Sequence, residues 1–476
     1  MRSDIKKNLF YNSIYEILVI ILPIFTSPYV SRVLGPELLG TYSYTTSIAY
    51  YFQMFAMLGI KFYGNRAIAQ NRDNPARLNA VFNEIFTLHL MVSLLVVSVY
   101  GIYCILFSEY KVYTVIQSMV VFAALFDVSW LFFGLEKFKL TVTRNVIIKL
   151  LSVLLVFIFV NDKSDFWIYV VIMAGSQMVS QILLLFMASK YVCFAKPKLS
   201  NILKHLKPLM ILFLPVLSLG IFKYTDKIML GMFGMQTELG YYENAERIIN
   251  IPLGVVFSFG AVMLPRISSL ANHDNSKQIE RYMSLSIKYM GGLSLAMAAG
   301  LIGIANVFAP VFWGAEFKMS GVLIQILALS IPASTLANIM RNQDMIPHGK
   351  DKEYAISVFI GAVVNIFLNL LLIRRFKSIG VSLATVCAEF TVFLVQWIFI
   401  RKSYPYLSYI KKTWPFLLSS SVMVFTLIYI GSRIEVSVLA LLLLIFVGVI
   451  IFAMLSLFIS VLIKDDLYMM IKRKRM

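Results

Sequence analysis

The stretch "SPYVSRVLGPELLGTYSYTTSIAYYF" (27–52) decides how the rest of the chain reads. Its centre, "SRVLGPELLGTY", holds one arginine, one glutamate, two glycines and one proline between two apolar runs. Gly35-Pro36 disfavours continuous helix, so the runs on either side read as two helices joined by a tight turn. Two hundred residues on, "QTELGYYENAERI" (236–248) matches "PELLGTYSYTTSI" (36–48) without a gap at Leu39/Leu239, Gly40/Gly240, Tyr42/Tyr242 and Ile48/Ile248. Arg66 and Arg266 continue the match, and Arg77 falls opposite Lys277. A hairpin used once in each half points to two similar lobes, a plan that in transporters puts the binding site between the halves.

The composition supports a membrane chain. Of 476 residues, 59% are hydrophobic and 14% charged, whereas soluble domains run near ~25% charged. Apolar runs of spanning length recur throughout, and the ~10-residue alternating segments of a barrel are absent. The reading is an all-α polytopic membrane protein with about 14 transmembrane helices. The spans fall near 10–33, 41–62, 81–107, 112–135, 142–160, 166–189, 208–232, 240–264, 285–312, 319–340, 354–373, 379–400, 413–431 and 436–463. The first run is too long for a cleaved signal peptide and no small-residue cleavage site follows it. The remaining segments are too short for a soluble catalytic domain, so the chain is not read as an enzyme.

The basic stretch "KYVCFAKPKLSNILKHLKP" (190–208) separates the halves. The expected layout is an N-lobe of six helices (1–190), a cytoplasmic basic linker (191–207), a C-lobe of six helices (208–402), and two further helices with a basic tail (403–476). The net charge of +19 suggests nucleic acid in a soluble protein. Here most Lys and Arg fall on one side if both termini are cytoplasmic, as the positive-inside rule requires, and no nucleic-acid role is inferred. "LLIRRFKSIG" (371–380) runs against that rule. Cys104, Cys193 and Cys387 have no useful spacing, and His89, His205, His273 and His348 form no metal pattern. "GKD" (349–351) lacks the glycine and hydroxyl of a phosphate-binding loop. No metal and no cofactor are expected.

Charges inside spans face cavities or partners, because lipid penalises them by several kcal/mol. The seventh span, "PVLSLGIFKYTDKIMLGMFG" (215–234), puts Lys223, Asp226 and Lys227 on one helical face. The eighth does the same with Glu243, Glu246, Arg247 and Asn250. Two such faces can line a watery cavity; the plainer alternative is internal salt bridges between two helices. The N-lobe is sparser but similar, with Glu16, Arg32, Lys61, Glu84, Asp127 and Glu136. Breakers such as Pro23, Pro28, Pro215, Gly220 and Pro252 mark places where spans bend. Tyr42, Tyr44, Tyr50 and Tyr51 read either as an interfacial belt or as partners for sugar rings.

The quoted hairpin, "YTDKIMLGMFGMQTELGYYENAERI" (224–248), "FSFGAVMLPRISSL" (257–270) and "RNQDMIPHGKDKEY" (341–354) resemble the Wzx-type oligosaccharide flippases. These belong to the multidrug/oligosaccharidyl-lipid/polysaccharide exporter superfamily. The resemblance implies a MATE-like fold of two pseudo-symmetric six-helix bundles plus two C-terminal helices. It also implies a cargo, an undecaprenyl-diphosphate-linked oligosaccharide, carried from the cytoplasmic to the outer face of a bacterial plasma membrane by alternating access, for capsule or exopolysaccharide. The lipid bilayer, a polysaccharide polymerase and other assembly proteins are the implied partners. A cationic cavity then falls to Arg32, Lys223, Lys227 and Arg247. Asp226, Glu246, Glu84 and Asp127 remain as ion-coupling groups or internal partners, and Tyr42, Tyr242 and Asn250 as sugar contacts. Teichoic-acid or peptidoglycan lipid precursors would suit the same machinery, and the acidic N-lobe groups would suit a multidrug or cation antiporter. A membrane polymerase fits least, since the external segments, such as "FSEYK" and "VNDKSDF", are only several residues long.

Overall fold

The computed structural model describes residues 2–272 and 275–463, with side chains from Leu22 onward except at 215 and 272. His273 and the basic tail (464–476) lie outside the described residues, as does the side chain of Pro215. The described chain is helical throughout and falls into two compact units, residues 1–240 and 241–476.

In the first unit, α1 (Arg2–Met57) is broken at Gly35, whose φ of 75° and ψ of 174° precede Pro36. The positive φ suits glycine. The arm after the break runs antiparallel to α3 (Pro75–Leu106), past the Gly59-led α2 (Ile60–Asn71). Phe52 packs edge-on to Tyr100, and Ser93 Oγ points to the Ala56 carbonyl at 3.4 Å. Asn74 caps α3 by accepting from the Arg77 amide at 3.1 Å. The expected fourth span is interrupted: α4 (Lys111–Leu125) stops and α5 (Ser129–Gly134) restarts, with Asp127 in the gap. Next come α6 (Phe138–Phe159), α7 (Phe166–Ala188), α8 (Leu199–Leu203) and α9 (Leu206–Met232), and α9 packs along α1. Phe82 stacks on Phe86 and on the fully buried Trp130, sealing α3 against α5.

The repeat motifs meet inside this unit. α10 (Gln236–Asn272) begins against the α1 turn. A Cβ placed on Gly40 would overlap the Gln236 carbonyl, with its carbon 2.6 Å away. One placed on Gly240 would overlap the Pro36 carbonyl, with its carbon 2.7 Å away. The approach is reciprocal: Gly40 meets residue 236 and Gly240 meets residue 36. Burial at the repeated positions agrees as well. Leu39 and Leu239 are 1% and 0% exposed, and Ile48 and Ile248 are both 8% exposed.

In the second unit α10 continues into α11 (Ser276–Trp313), α12 (Lys318–Ala328) and α13 (Ser330–Met340), closed by a π-helical turn (Arg341–Met345). The 50-residue α14 (Asp351–Ile400) would be about 75 Å long if straight, far beyond a ~30 Å hydrocarbon core. It is a hairpin. The chain leaves helical geometry at Lys377 (φ 48°), and Gln396 Nε2 donates to Ser357 Oγ at 3.2 Å across the two arms. The short α15 (Tyr406–Lys411) leads to α16 (Trp414–Gly431) and α17 (Val438–Leu462), which pack on α11.

Among the described residues, ten helical segments are long and apolar enough to cross a membrane, or eleven if Leu199–Leu214 and Val216–Met232 form one bent span. The fourteen stretches expected from sequence fall on these and on α1, with two of them sharing α14. In α17 the most apolar window is only 22% buried, and Leu439, Phe446 and Met454 are exposed. Water would not tolerate so continuous an apolar surface; lipid does.

Candidate functional site

The seventh span, α9, does not give its three charges one common environment. On α9, Lys223 is exposed, while Asp226 and Lys227 are buried at 3% and 8%. The residues between them dock on α1. Thr225 Oγ1 and Tyr51 Oη are 3.0 Å apart, and the Tyr224 ring lies 5.7 Å from that of Tyr50 and 5.8 Å from that of Tyr51. Lys223 Nζ sits 5.4 Å above the Tyr224 ring. Gln177 Nε2 donates to Tyr50 Oη at 2.7 Å. The result is a face of rings and hydroxyls next to a cationic helix. Its tyrosines were visible in "YSYTTSIAYYF" (42–52), but the choice of Tyr50, Tyr51 and Tyr224 needed the packing of α1 on α9.

The other expected residues of this unit are dispersed. Arg32 is exposed on the first arm of α1, and Tyr42 packs edge-on to Tyr169 at 4.9 Å. Glu84 Oε2 lies 2.9 Å from His205 Nε2, and His205 Nδ1 lies 2.6 Å from Tyr63 Oη. Asp127 is buried at 3%. Its Oδ1 accepts the Ser129 amide at 2.9 Å, and its Oδ2 lies 4.0 Å from Lys61 Nζ.

In the second unit, Arg247 Nε donates to Glu243 Oε1 at 3.2 Å, a one-turn pair that the i,i+4 spacing allows. Glu246 is half-buried and Asn250 exposed. Tyr242 is buried, with its hydroxyl 3.2 Å from Thr385 Oγ1. Sequence reasoning passed over Glu389, which accepts from Ser334 Oγ at 2.6 Å between α14 and α13. It also passed over Asp344, fully buried in the π-helical turn. Asp344 is held by Tyr406 Oη at 2.6 Å, Lys350 Nζ at 3.3 Å and His348 Nδ1 at 3.0 Å. Among the described residues no three His, Cys, Asp or Glu side chains converge as metal ligands.

Long apolar helices that carry lysines, arginines and carboxylates within their spans define a multi-pass membrane protein. The polysaccharide biosynthesis protein family matches residues 5–271, more than half of the chain, and the chain belongs to that family. It is 23% identical over 381 residues to a putative O-antigen transporter of Shigella dysenteriae, covering 79% of this chain and 94% of that protein. A putative O-antigen transporter of Escherichia coli (strain K12) is 24% identical over 410 residues, covering 84% and 98%. Among solved structures, the lipid II flippase MurJ in an inward closed conformation superposes with a TM-score of 0.75 over 95% of this chain and 99% of that one, at 17% identity. An inward-facing multidrug resistance MATE family transporter gives 0.60 over 84% and 96%, at 14% identity. The fold is therefore the MATE-like one that the sequence resemblance implies. These relatives are transporters and flippases, not enzymes.

Proposed function

We propose that the protein is a flippase that moves lipid-linked oligosaccharide units, joined to undecaprenol through a diphosphate, from the cytoplasmic to the outer face of a bacterial plasma membrane. The cargo is a repeat unit for surface polysaccharide, either capsule or exopolysaccharide as the sequence suggests or O-antigen as in the named relatives. On this reading both termini are cytoplasmic, as the charge bias of the sequence suggests, and transport runs by alternating access.

The observation that carries the reading is the set of cations held within apolar helices, Lys223 and Lys227 on α9 and Arg247 on α10, in a chain related along most of its length to O-antigen transporters. A diphosphate brings about two negative charges. Moving such an ion bare into hydrocarbon costs on the order of 20 kcal/mol per charge in the idealised limit. Cations and water inside the protein remove most of that cost, while the polyprenyl tail stays in lipid. Lys223, Lys227 and Arg247 bind the diphosphate, with Arg32 toward the outer end of its path. Tyr50, Tyr51 and Tyr224 offer ring faces and hydroxyls to sugars. Asp226 and Glu246 set the internal electrostatics.

The test is K223Q/K227Q/R247Q in cells that depend on this protein for surface polysaccharide. Polymer export falls sharply while the amount of protein in the membrane is unchanged. Undiminished export in the triple variant would overturn the assignment of the cations, and drug efflux in place of polymer display would overturn the cargo.

A further inference from the structure

α6 is an apolar helix of spanning length, and Lys149 stands at its middle. It is eleven positions from Phe138 and ten from Phe159, about 15 Å from either end at ~1.5 Å per residue. In a hydrocarbon core of ~30 Å that is the midplane, beyond the reach of a four-carbon stem to either headgroup layer. Ile147, Leu151, Leu154 and Ile158 are more than half exposed and mark the lipid face of the helix. Asn145, Lys149, Ser152 and Val156 recur at helical spacing on the opposite face, where Ser152 and Val156 are buried. Lys149 is half-buried there. Its exposed part therefore opens on the side of the helix turned away from lipid.

An ammonium at this depth is expected to have a partner. Among the described residues Lys149 Nζ has no ion pair and no hydrogen bond, and no charged group acts on it. Arg144, on the same helix, is engaged by contrast. Its Nη1 donates to the Ser180 carbonyl at 2.8 Å and its Nη2 to Asn145 Oδ1 at 2.6 Å. α7 adds two unmet groups of the opposite kind: Gln177 Oε1 and Gln181 Oε1 are buried acceptors without a hydrogen-bond partner. Buried polar atoms are nearly always paired, so each such orphan asks for a ligand or a water. The two glutamines are one turn apart, on the face of α7 opposite the exposed Val179, Leu183 and Phe186. α6 and α7 are joined by a short turn and run antiparallel. The Arg144–Ser180 bond fixes their register and puts Lys149 level with residue 175, within a turn of Gln177. Gln177 also holds Tyr50 Oη, whose ring neighbours that of Tyr224.

We propose that Lys149, with Gln177 and Gln181, forms a subsite in the first unit for one acidic sugar of the cargo, a hexuronic acid or a similar carboxylate-bearing residue. This rests on the flippase reading and narrows its substrate class to oligosaccharides that carry a carboxylate. The charge count selects the ligand. One ammonium without a counter-charge balances one negative charge. A diphosphate brings about two, and the proposed function already assigns it to Lys223, Lys227 and Arg247. The neutral neighbours select further. A simple inorganic anion would use the ammonium and leave both amide oxygens without donors, whereas a sugar supplies hydroxyls to them and an apolar ring face to Tyr50. A carboxylate on that sugar then makes a charge-assisted bond to Lys149, of the kind that is roughly twice as strong as a neutral one.

Flipping is measured in proteoliposomes with two undecaprenyl-diphosphate disaccharides that differ only in the outer sugar, glucuronic acid in one and glucose in the other. A hydrogen bond between charged partners favours the acidic cargo by about 10- to 150-fold in the ratio of the two rates at low concentration. K149Q brings that ratio to about one, and K149R keeps most of it. A wild-type ratio near one, or a K149Q ratio as high as that of the wild type, overturns the subsite. The second measurement is binding of lipid-free cellobiouronic acid, cellobiose and inorganic diphosphate to the full chain in nanodiscs, by ligand-observed NMR. The acid binds more tightly than cellobiose, and K149Q removes the difference while diphosphate binding persists. Loss of diphosphate binding in K149Q, with the preference for the acid intact, assigns the lysine to the diphosphate and overturns the acidic-sugar site. K149Q melts no lower than the wild type, because it removes a cation that has no counter-charge. A clear fall in melting temperature with both cargoes slowed alike assigns Lys149 to the fold and overturns the subsite too. Absence of flipping of either cargo by the wild type overturns the flippase reading instead, and the binding comparison alone then decides the subsite.

Discussion

Substituting Gly40 by alanine probes the repeat most directly. The added methyl overlaps the Gln236 carbonyl oxygen and sits 2.6 Å from the carbonyl carbon and 3.0 Å from the Gly240 nitrogen, where ordinary contact begins at 3.4 Å. All three neighbours are backbone, so no side chain can rotate away. The start of α10 has to move from α1 by about 1 Å, and overpacking of this kind costs about 1–3 kcal/mol. Against a state in which the two segments are apart, that is a roughly 5- to 150-fold shift in population. Gly240→Ala does the same from the other side, since its methyl meets the Pro36 carbonyl carbon at 2.7 Å and Cα at 2.9 Å. Once one substitution has separated the segments, the other fits without further cost. The double variant therefore resembles either single one, a departure from additivity expected of groups in direct contact. The assay is the labelling rate of a thiol placed at Leu39 or Leu239, both buried here, by a membrane-impermeant maleimide, in a background lacking Cys104, Cys193 and Cys387. Labelling rises at least several-fold in G40A and G240A and no further in the double variant. Unchanged labelling, or effects that multiply, would refute the close crossing.

Two smaller perturbations check other parts of the structure. Tyr406→Phe removes the 2.6 Å hydrogen bond to the buried Asp344, leaving that carboxylate to Lys350 and His348 at a cost of about 1.5–3 kcal/mol. Burial, and after it the Asp344 carboxylate, push the Tyr406 hydroxyl above the ordinary phenol range, so it stays a donor at working pH. The apparent melting temperature in detergent drops, and the α15 amides lose hydrogen-exchange protection. At the α6–α7 turn, Asp162 accepts from the Ser164 hydroxyl and amide, and these bonds hold its carboxyl below the usual range. A depressed carboxylate stabilises the turn at all pH values above the unfolded value near 3.9 and loses that effect as pH falls through the lower folded value. Exchange of the Ser164 amide therefore stays slow down to about pH 4 and speeds up only below it. Loss of protection already at neutral pH would contradict the cap.

Much of the fold was legible because lipid leaves few choices: about 20 apolar residues make a span, and Gly-Pro between two runs makes a turn. "LLIRRFKSIG" reads as a turn and breaks at Lys377. The Gly40/Gly240 match, weak as a sequence identity, marks a backbone contact that a side chain would forbid. What escaped depends on tertiary neighbours. Hydropathy averages over the three residues that unwind at Asp127, so the fourth span read as continuous. Lys149 was set aside as one basic residue in an apolar run, and its lack of partners is a property of the packed unit. Glu389 and Asp344 were passed over for a similar reason. Each is paired with a residue far along the chain, Ser334 or Tyr406, and no local pattern announces that.

The nature of the Gly40–Gly240 crossing bears on the proposed alternation. A contact that is made and broken in every cycle must hold without being deep. An apolar interlock such as Phe82–Phe86–Trp130 loses several buried rings when parted, and a buried ion pair leaves costly unpaired charges. At the crossing two helical segments touch through glycine Cα atoms and carbonyl oxygens. Carbonyls already engaged within their helices acquire no new unpaired group when the surfaces separate. The same closeness makes the contact intolerant of any side chain, so an opening contact built from backbone has to place glycine on both segments. That requirement accounts for glycine at both Gly40 and Gly240. On the proposed reading the chemistry lies elsewhere: the first hairpin offers Arg32, while the helix before the second turn carries Lys223, Asp226 and Lys227.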